Sequence, residues 1–467
     1  MIQNTNTSTS QFYRKWVYLF SARFFPIIVL FIITILFSRK LTYSEYGIFQ
    51  SIWMYINIIN VAITFGFTSL ILSTNEKFLS DFIKRNIKKI ILFYGFIIFI
   101  TFLIFFFCAK NLNLSTLILL FSFALVQNLS LIKETQLIKS GSENKLFLIN
   151  LLYAFSFLLW HLYIIYTGYN INKLIIGIII LTLLKIGLLS AVKLKTHSII
   201  SIFPGDEKFQ KHWLFTGIND SIGVLSKWID KIFLLYLLTP DDFAIFFNGS
   251  FEIPFFGLLI TIAGNLLMVN VSKNIGATDK ILISFKNNFK ILSAIVFPIF
   301  FFLLFNTTTL FALLFGHKYD GSIPIFLITI FILPIRINNY GALLQCFTKG
   351  NKMMFGSILD IVVVLILMFL LYPIISTKGV AIAVVVGTYI QIIYYLVQSS
   401  KILKVSFLHL FPLRFLLLRF LVLFSVFMLF QIFPFNNNKE LRILTEGTLM
   451  ILSIFIGLYK IKNSVKL

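Results

Sequence analysis

The chain has little charge, and most of the charge it has is of one sign. Only 12% of its 467 residues are charged, with 17 acidic residues against 40 lysines and arginines. Soluble domains usually carry about twice this share of charged residues. Because 59% of the residues are hydrophobic, the composition excludes a water-soluble protein and predicts a chain embedded in a lipid bilayer.

Motifs for catalysis and redox chemistry are missing too. The two cysteines, Cys108 and Cys346, both fall in apolar segments, so no disulfide framework is expected. The sequence has no Walker lysine motif, no His or Cys pair at metal-ligand spacing, and no long polar loop for a nucleophile and base. We therefore expect a protein that is not an enzyme and that uses no cofactor or metal.

What fills the chain is a series of long apolar runs. Each is roughly long enough to cross a ~30 Å hydrocarbon core as a helix of about 20 residues, and their continuous apolar character argues against a membrane barrel. The sequence therefore predicts an all-α polytopic membrane protein with about fourteen transmembrane helices. The predicted spans are residues 16–38, 46–74, 90–109, 112–132, 146–166, 174–192, 213–238, 243–271, 291–315, 323–348, 354–375, 379–399, 407–433 and 441–459.

The basic residues predict the orientation of these spans. Of the 40 lysines and arginines, 25 lie in one set of alternate joints and 8 in the other. Because cytoplasmic loops are enriched in Lys and Arg, both termini are predicted to be cytoplasmic, and the net charge of +23 needs no nucleic-acid partner. The first run lacks a cleavage pattern and is predicted to be an uncleaved span.

The sequence is internally duplicated. Residues 41–49 (LTYSEYGIF) are echoed 197 positions later by residues 238–246 (LTPDDFAIF), and the same offset pairs Trp16 with Trp213 and Lys89 with Lys286. Two homologous halves in a membrane are typical of a transporter whose halves move against each other around a substrate path. We predict a six-helix bundle in residues 1–200, a second in residues 201–405, a central cavity between them, and two additional helices in residues 406–467.

Three short passages resemble a known family. Residues 41–49 followed by Gly66 look like an L…EYG joint, Trp228-Ile229-Asp230-Lys231 resembles a DR/DK motif of the seventh helix, and residues 372–383 resemble the joint before the twelfth helix, with Lys378 where a Gly is often found. In this order they resemble the Wzx-type O-antigen and capsule repeat-unit flippases, in the polysaccharide branch of the multidrug/oligosaccharidyl-lipid/polysaccharide exporter superfamily.

The resemblance implies a function and a location. The chain would move an undecaprenyl-pyrophosphate-linked oligosaccharide across a bacterial inner membrane, surrounded by membrane lipids. A polysaccharide polymerase and a chain-length regulator are the candidate partners that it implies.

Several charges lie inside the predicted spans. A charged side chain at the bilayer centre costs about 2.5–3.5 kcal/mol on insertion scales, so such residues usually face protein or a water-filled cavity. In the seventh span, Asp220, Lys227, Asp230 and Lys231 fall within about a 100° arc of one helix. Asp230 and Lys227 are spaced to pair. The four charged residues therefore either neutralise one another or form part of a cavity wall.

Two arginines lie away from the ends of their predicted spans, where their side chains reach the membrane–water interface less easily. Arg23 is in the first span and Arg336 in the tenth, and a guanidinium can bind phosphate oxygens with two hydrogen bonds. The alternative for each is a structural ion pair, with Glu252 and Asp360 as candidate partners, unless these carboxylates couple transport to a cation. Three other basic residues are expected to extend to the lipid headgroups, namely Lys185, Arg414 and Arg419.

The sequence thus predicts a flippase for lipid-linked oligosaccharide repeat units. The candidate substrate-binding residues are Arg23, Lys227, Lys231 and Arg336, and the candidate ion-coupling or charge-pairing residues are Asp220, Asp230, Glu252 and Asp360. The alternatives are a multidrug or organic-cation exporter of the same superfamily and a lipid II flippase. A membrane polymerase or ligase is disfavoured because every outward joint is short.

Overall fold

The computed structural model describes residues 5–73, 76–109, 112–193, 206–251, 253, 255–274, 276–347, 349–432 and 439–464, and within these ranges the regular structure is helical. The α-helices are α1 (Thr5–Lys40), α2 (Tyr43–Thr64), α3 (Phe67–Ser73), α4 (Glu76–Cys108), α5 (Leu114–Lys139), α6 (Glu143–Thr167), α7 (Ile171–Ser190), α8 (Asp206–Leu235), α9 (Pro240–Gly249), α10 (Phe256–Lys273), α11 (Thr278–Phe315), α12 (Ile323–Thr329), α13 (Gly341–Cys346), α14 (Gly350–Leu403), α15 (Phe407–Leu410), α16 (Leu413–Ile432) and α17 (Lys439–Ser464).

The predicted all-helical membrane architecture is confirmed. Each of the fourteen predicted spans falls on helical structure, and ten helices of the described chain are long and apolar enough to cross a membrane. One of these ten, α14, holds two predicted spans. Its helical backbone is interrupted at Ile375 and at Ser376, which has a φ of 51°.

The two arms of α14 fold back on each other. The Lys352 ammonium donates to the Gln398 side-chain oxygen at 2.6 Å, and the Tyr395 hydroxyl donates to the Met353 carbonyl at 2.9 Å. Residues 46 and 42 positions apart can meet in this way only if the chain reverses. The turn at Ile375 and Ser376 therefore separates the eleventh span from the twelfth.

The joint that revealed the duplication has the same cap in both halves. Thr42 precedes α2, and its hydroxyl accepts the Glu45 N–H at 3.2 Å and donates to the Glu45 carboxylate at 2.8 Å. Thr239 precedes α9 and makes the same two bonds, also of 3.2 and 2.8 Å, with Asp242. Such a capping bond satisfies an N–H that the helix itself leaves open. The repeated sequence is therefore a repeated helix start.

Four spans that were expected to be continuous are interrupted, so this part of the prediction is wrong. The thirteenth is divided near its start, between α15 and α16. In the second span, α2 stops because Phe65 and Gly66 take positive φ values of 38° and 73°. The Trp213 indole N–H binds the Phe65 carbonyl at 2.9 Å, and the Tyr94 hydroxyl lies 3.4 Å from the Thr64 carbonyl. These donors satisfy carbonyls that the broken helix leaves open.

The eighth and tenth spans are interrupted as well. The eighth divides into α9 and α10, with Phe255 at a φ of 73° where α10 begins. In the tenth, helical structure stops after the 3₁₀ turn Ile330–Ile332 and resumes at α13, because Pro334 has no N–H to continue the ladder. Asn338 holds this unwound stretch to α11, since its side-chain oxygen accepts from the Asn288 amide at 2.5 Å.

The chain forms two compact units, Met1–Trp228 and Ile229–Leu467. In the first, α1 packs on α6 and α5 on α7; in the second, α11 packs on α16 and α17, and α12 on α14. The boundary lies within α8, whose N-terminal part belongs to the first unit and whose last turns belong to the second.

Candidate functional site

Arg336 lies on unwound backbone in the middle of the tenth span. Its N–H reaches the Ile332 carbonyl at 3.1 Å, but no regular helix continues through it. Non-helical backbone at membrane depth is tolerated where protein buries it or where it lines a water-filled cavity. Arg336 is partly buried, and no described carboxylate forms an ion pair with it.

The structure brings Asp230 and Lys231 together. The Lys231 ammonium lies 2.8 Å from the Asp230 carboxylate, and both side chains are buried. The partner of Asp230 in this contact is therefore Lys231 and not Lys227, which the three-residue spacing also allowed; Lys227 lies on an exposed part of the helix surface, with its ammonium 5.8 Å from the centre of the Trp228 ring. The Lys231 ammonium also lies 5.7 Å from the centre of the Phe247 ring, so the end of α8 is tied to α9.

The remaining seventh-span candidates and Arg23 lie in the first unit. Asp220 is partly buried, and Lys227 and Arg23 are exposed. The ion pair considered for Arg23 is not found among the described residues. An exposed cation without a neutralising carboxylate can attract an anionic ligand.

The two remaining candidate carboxylates are Asp360 and Glu252. Asp360 is buried in the first arm of α14 and faces the second arm, where a Cβ built on Gly387 would lie 2.8 Å from its Oδ1. A side chain at Gly387 would therefore displace this carboxylate. Glu252 lies outside the described residues.

Lys185 does not extend to the headgroups as expected. Its ammonium forms an ion pair with Glu134 at 2.5 Å and lies 4.5 Å from the centre of the Tyr153 ring. This buried contact joins α5, α6 and α7, so the snorkelling prediction for Lys185 is wrong. The sequence did not reveal this partner, because Glu134 lies beyond the predicted end of the fourth span, in the last turns of α5.

Arg419 is also held inside the protein. Its guanidinium donates to the Lys290 carbonyl at 2.7 Å and to the Ser293 hydroxyl at 2.9 Å, and it lies 4.8 Å from the centre of the Phe415 ring. These contacts fasten α16 to α11, so the headgroup prediction is wrong for Arg419. Arg414 is exposed, and its headgroup role stays a prediction.

A second polar cluster missed from sequence fastens α17. The fully buried Glu446 accepts from Asn306 at 2.6 Å, from Gln431 at 3.0 Å and from Arg442 at 2.9 Å. The four-residue spacing of Arg442 and Glu446 was visible in the sequence, but nothing in the sequence showed that α11 and α16 would cover them.

An apolar cavity of about 300 Å³ lies beside the last turns of α8 in the second unit. None of the candidate charged residues lines it, so this cavity is not a phosphate site. Its lining consists of Ile229, Ile232, Phe233, Tyr236, Leu237 and Leu365.

The architecture is similar to that of solved membrane transporters. The lipid II flippase MurJ in an inward closed conformation aligns with a TM-score of 0.67 and 15% identity, over 96% of this chain and 99% of that one. A MOP superfamily transporter from Pyrococcus furiosus aligns with a TM-score of 0.61 and 16% identity, over 84% of this chain and 95% of that one.

A MATE transporter in complex with MaL6 gives a TM-score of 0.60 and 15% identity, over 84% of this chain and 96% of that one. The fold is that of these transporters. No protein-family model and no curated protein sequence matches the chain. At such low identities the likeness to MurJ and the MATE protein shows the fold and does not show the substrate.

Proposed function

We propose that the protein is a flippase that moves undecaprenyl-pyrophosphate-linked oligosaccharide repeat units from the inner to the outer leaflet of a bacterial inner membrane. The product would serve the synthesis of O-antigen, capsule or exopolysaccharide. Both termini are proposed to be cytoplasmic, as the charge asymmetry of the joints predicts.

The extent of the structural likeness supports this proposal best. The lipid II flippase matches 96% of the chain, whereas the MATE and Pyrococcus furiosus transporters match 84%. A likeness over nearly the whole chain to a lipid II flippase favours a lipid-linked substrate.

In the proposed mechanism, cations inside the membrane bind the pyrophosphate while the prenyl tail stays in lipid. Arg336 offers a planar fork on unwound backbone, and Arg23 and Lys227 present exposed cations on α1 and α8. Lys231 stays in the proposed set, but substrate would have to compete with Asp230 for its ammonium. The two units would then rock to give alternating access.

The acidic residues keep two proposed roles. Asp220, Asp360 and Glu252 either balance these cations or couple transport to a cation gradient, since the sequence has no ATP-binding motif. A polysaccharide polymerase and a chain-length regulator are the proposed functional partners, because a flipped repeat unit must be consumed on the far side.

Substitution of Arg336 tests the capture step. In a strain that depends on this chain, Arg336→Ala is expected to abolish surface glycan at a normal membrane level of the protein, and Arg336→Lys to restore part of it because the charge returns without the fork. Arg414→Ala, a change of an exposed arginine in α16, is the matched control. Normal glycan in the Arg336→Ala strain would show that this residue does not capture substrate.

The same strain separates the alternatives. An organic-cation exporter would leave surface glycan intact and its loss would sensitise cells to cationic dyes. A lipid II flippase would be essential for growth and its loss would stop peptidoglycan synthesis. Of these three functions, only the proposed one predicts loss of surface glycan in growing cells.

A further inference from the structure

Pro26 lies inside α1 and leaves one backbone carbonyl of that helix open. In an α-helix the carbonyl of residue 22 accepts the N–H of residue 26, and a proline has no N–H to donate. A helix bends most readily where a proline interrupts its backbone hydrogen bonds. Because a carbonyl without a donor is costly inside a membrane, residues 22–26, the proline turn, need a donor from outside the helix.

The donor comes from α6. The Asn150 side-chain nitrogen Nδ2 donates to the Ala22 carbonyl at 3.2 Å, and both residues are buried. The reverse orientation of the carboxamide would place its oxygen against the carbonyl oxygen, so the nitrogen has to face Ala22. The carboxamide nitrogen thus replaces the backbone N–H that Pro26 lacks.

The other half of this carboxamide has no use in the described part of the chain. Asn150 Oδ1 is buried and has no hydrogen-bond partner among the described residues. A buried polar atom without a partner is destabilising, so a residue needed only for packing would be apolar. The requirement for a donor at the Ala22 carbonyl explains why an asparagine occupies this position.

Ring contacts between α1 and α6 hold the two helices in this register. The ring centre of Phe147, one turn before Asn150, lies 5.9 Å from that of Tyr18 and 6.0 Å from that of Phe25. Tyr18, Ala22 and Phe25 share one face of α1, since they are spaced by four and three residues. This face is therefore in contact with α6 on both sides of the open carbonyl.

Arg23 lies in the proline turn that Asn150 holds. Each residue of a helix is rotated by about 100° from the one before it, so Arg23 points away from the face that carries Ala22. Its side chain is exposed. The direction of this side chain depends on how the parts of α1 before and after Pro26 are joined. Fixing the Ala22 carbonyl therefore also fixes the position from which the Arg23 guanidinium reaches a ligand.

We propose that Asn150 is a positioning residue, which holds the proline turn of α1 and thereby places Arg23 for binding the pyrophosphate of the substrate. This inference rests on the proposed capture of a pyrophosphate by Arg23. A binding group has to be held within about 0.5 Å of its productive position. A proline turn without its donor should therefore weaken binding although the guanidinium is still present.

Equilibrium binding of undecaprenyl pyrophosphate to the purified full chain in detergent tests this role. Arg23→Ala is expected to raise the Kd about tenfold, because charge-assisted hydrogen bonds are lost. Asn150→Leu, similar in size but without the donor, should raise it about three- to tenfold, and so should Asn150→Ala. Asn86→Leu is the matched control, because Asn86 donates to the Phe82 carbonyl of its own helix, and it should leave the Kd unchanged.

Two double variants test whether Asn150 acts through Arg23 and through the open carbonyl. Asn150→Leu should add little to the effect of Arg23→Ala, because a positioning residue has no effect once the group that it positions is gone. It should also have little effect when added to Pro26→Ala, because residue 26 then supplies the backbone N–H that the Ala22 carbonyl lacks.

Two results would overturn the role of Asn150 alone. Either Asn150→Leu binds as tightly as the wild type, or it causes the same further loss of affinity in the Arg23→Ala or the Pro26→Ala background. Variants are compared only when they elute as a monodisperse species, so that a folding defect is not mistaken for lost positioning.

A failure of the proposed function gives a different result. The wild-type protein would then not bind undecaprenyl pyrophosphate, or Arg23→Ala would bind it as tightly as the wild type. Either outcome would show that Arg23 does not capture a pyrophosphate, and the positioning role of Asn150 would be wrong with it.

Discussion

Substitutions in the ion pair between Asp230 and Lys231 can distinguish a role in protein stability from a role in transport. The two charged atoms are 2.8 Å apart, and the side chains of Lys231 and Asp230 are only 10% and 6% exposed. Replacing Asp230 by Asn leaves a buried ammonium without its counter-charge, which typically costs about 3–5 kcal/mol. Contacts with the rings of Phe246 and Phe247 remain and place the expected cost near the lower value, about 3 kcal/mol.

The assay is thermal unfolding of the purified protein in detergent. The folded fraction at each temperature is measured as the protein that still elutes as a monodisperse species. Because a chain of 467 residues has an unfolding entropy of about 1 kcal/mol/K, a loss of this size is expected to lower the Tm by about 3 °C. Asp241→Asn, a change of an exposed carboxylate in the first turn of α9, is the control and should change the Tm little. The double change Asp230→Asn with Lys231→Met removes both charges and should restore most of the loss.

Two results would refute the reasoning about this pair. Either Asp230→Asn matches the Asp241→Asn control, or the double variant is as unstable as the single one. The double variant also tests the capture role of Lys231. If it is stable but makes no surface glycan, the pair acts in transport, and glycan made by a Lys231→Met single variant then decides whether Lys231 or Asp230 is responsible; if it makes normal glycan, the pair is structural.

Three further predictions concern the fold. Trp213→Phe removes the donor to the Phe65 carbonyl and should cost about 1–3 kcal/mol, seen as a lower Tm; an unchanged Tm would mean that the helix break does not need this bond. Glu446→Leu strands the buried polar groups that it binds, so unfolding should occur several degrees lower, and a stable variant would contradict the role of this cluster in fastening α17. Reporter fusions should be active in the cytoplasm after Lys89 and outside after Lys173, and the reverse pattern would disprove the orientation.

The all-helical membrane architecture was predictable because the signal is simple. Any segment that crosses a bilayer as a helix needs about 20 apolar residues, and such runs can be counted directly. The repeated start at Thr42 and Thr239 was also readable, since the capping bond depends on residues three apart in sequence. These features are local, so the sequence contains all that is needed to predict them.

The interruptions were not predicted, although one of them had a local cause. Pro334 signals a break in the tenth span, but hydropathy treats it as one residue in a long apolar run. The break at Phe65 depends on a tryptophan 148 positions away that satisfies its carbonyl. Such a partner is found only once the helices have packed.

The candidate charged residues likewise show the difference between what local sequence predicts and what long-range packing decides. Local spacing allowed Asp230 to pair with Lys227, yet Lys231 is buried beside it and near the rings of Phe246 and Phe247. Lys185 and Arg419 were expected at the headgroups because the sequence does not show that Glu134 and the Lys290 carbonyl lie next to them. Long-range contacts decide whether a cation inside a membrane is neutralised or available.

The most direct test of the proposed function locates the lipid-linked intermediate. In a deletion strain, undecaprenyl-linked repeat units should accumulate and be protected in sealed right-side-out vesicles from an enzyme that cleaves the sugar, because the anionic headgroup cannot cross the bilayer unaided. Surface polysaccharide should be lost, and sensitivity to cationic dyes should stay the same. Accumulated intermediate that is accessible from outside, or normal surface polysaccharide with new dye sensitivity, would contradict the account.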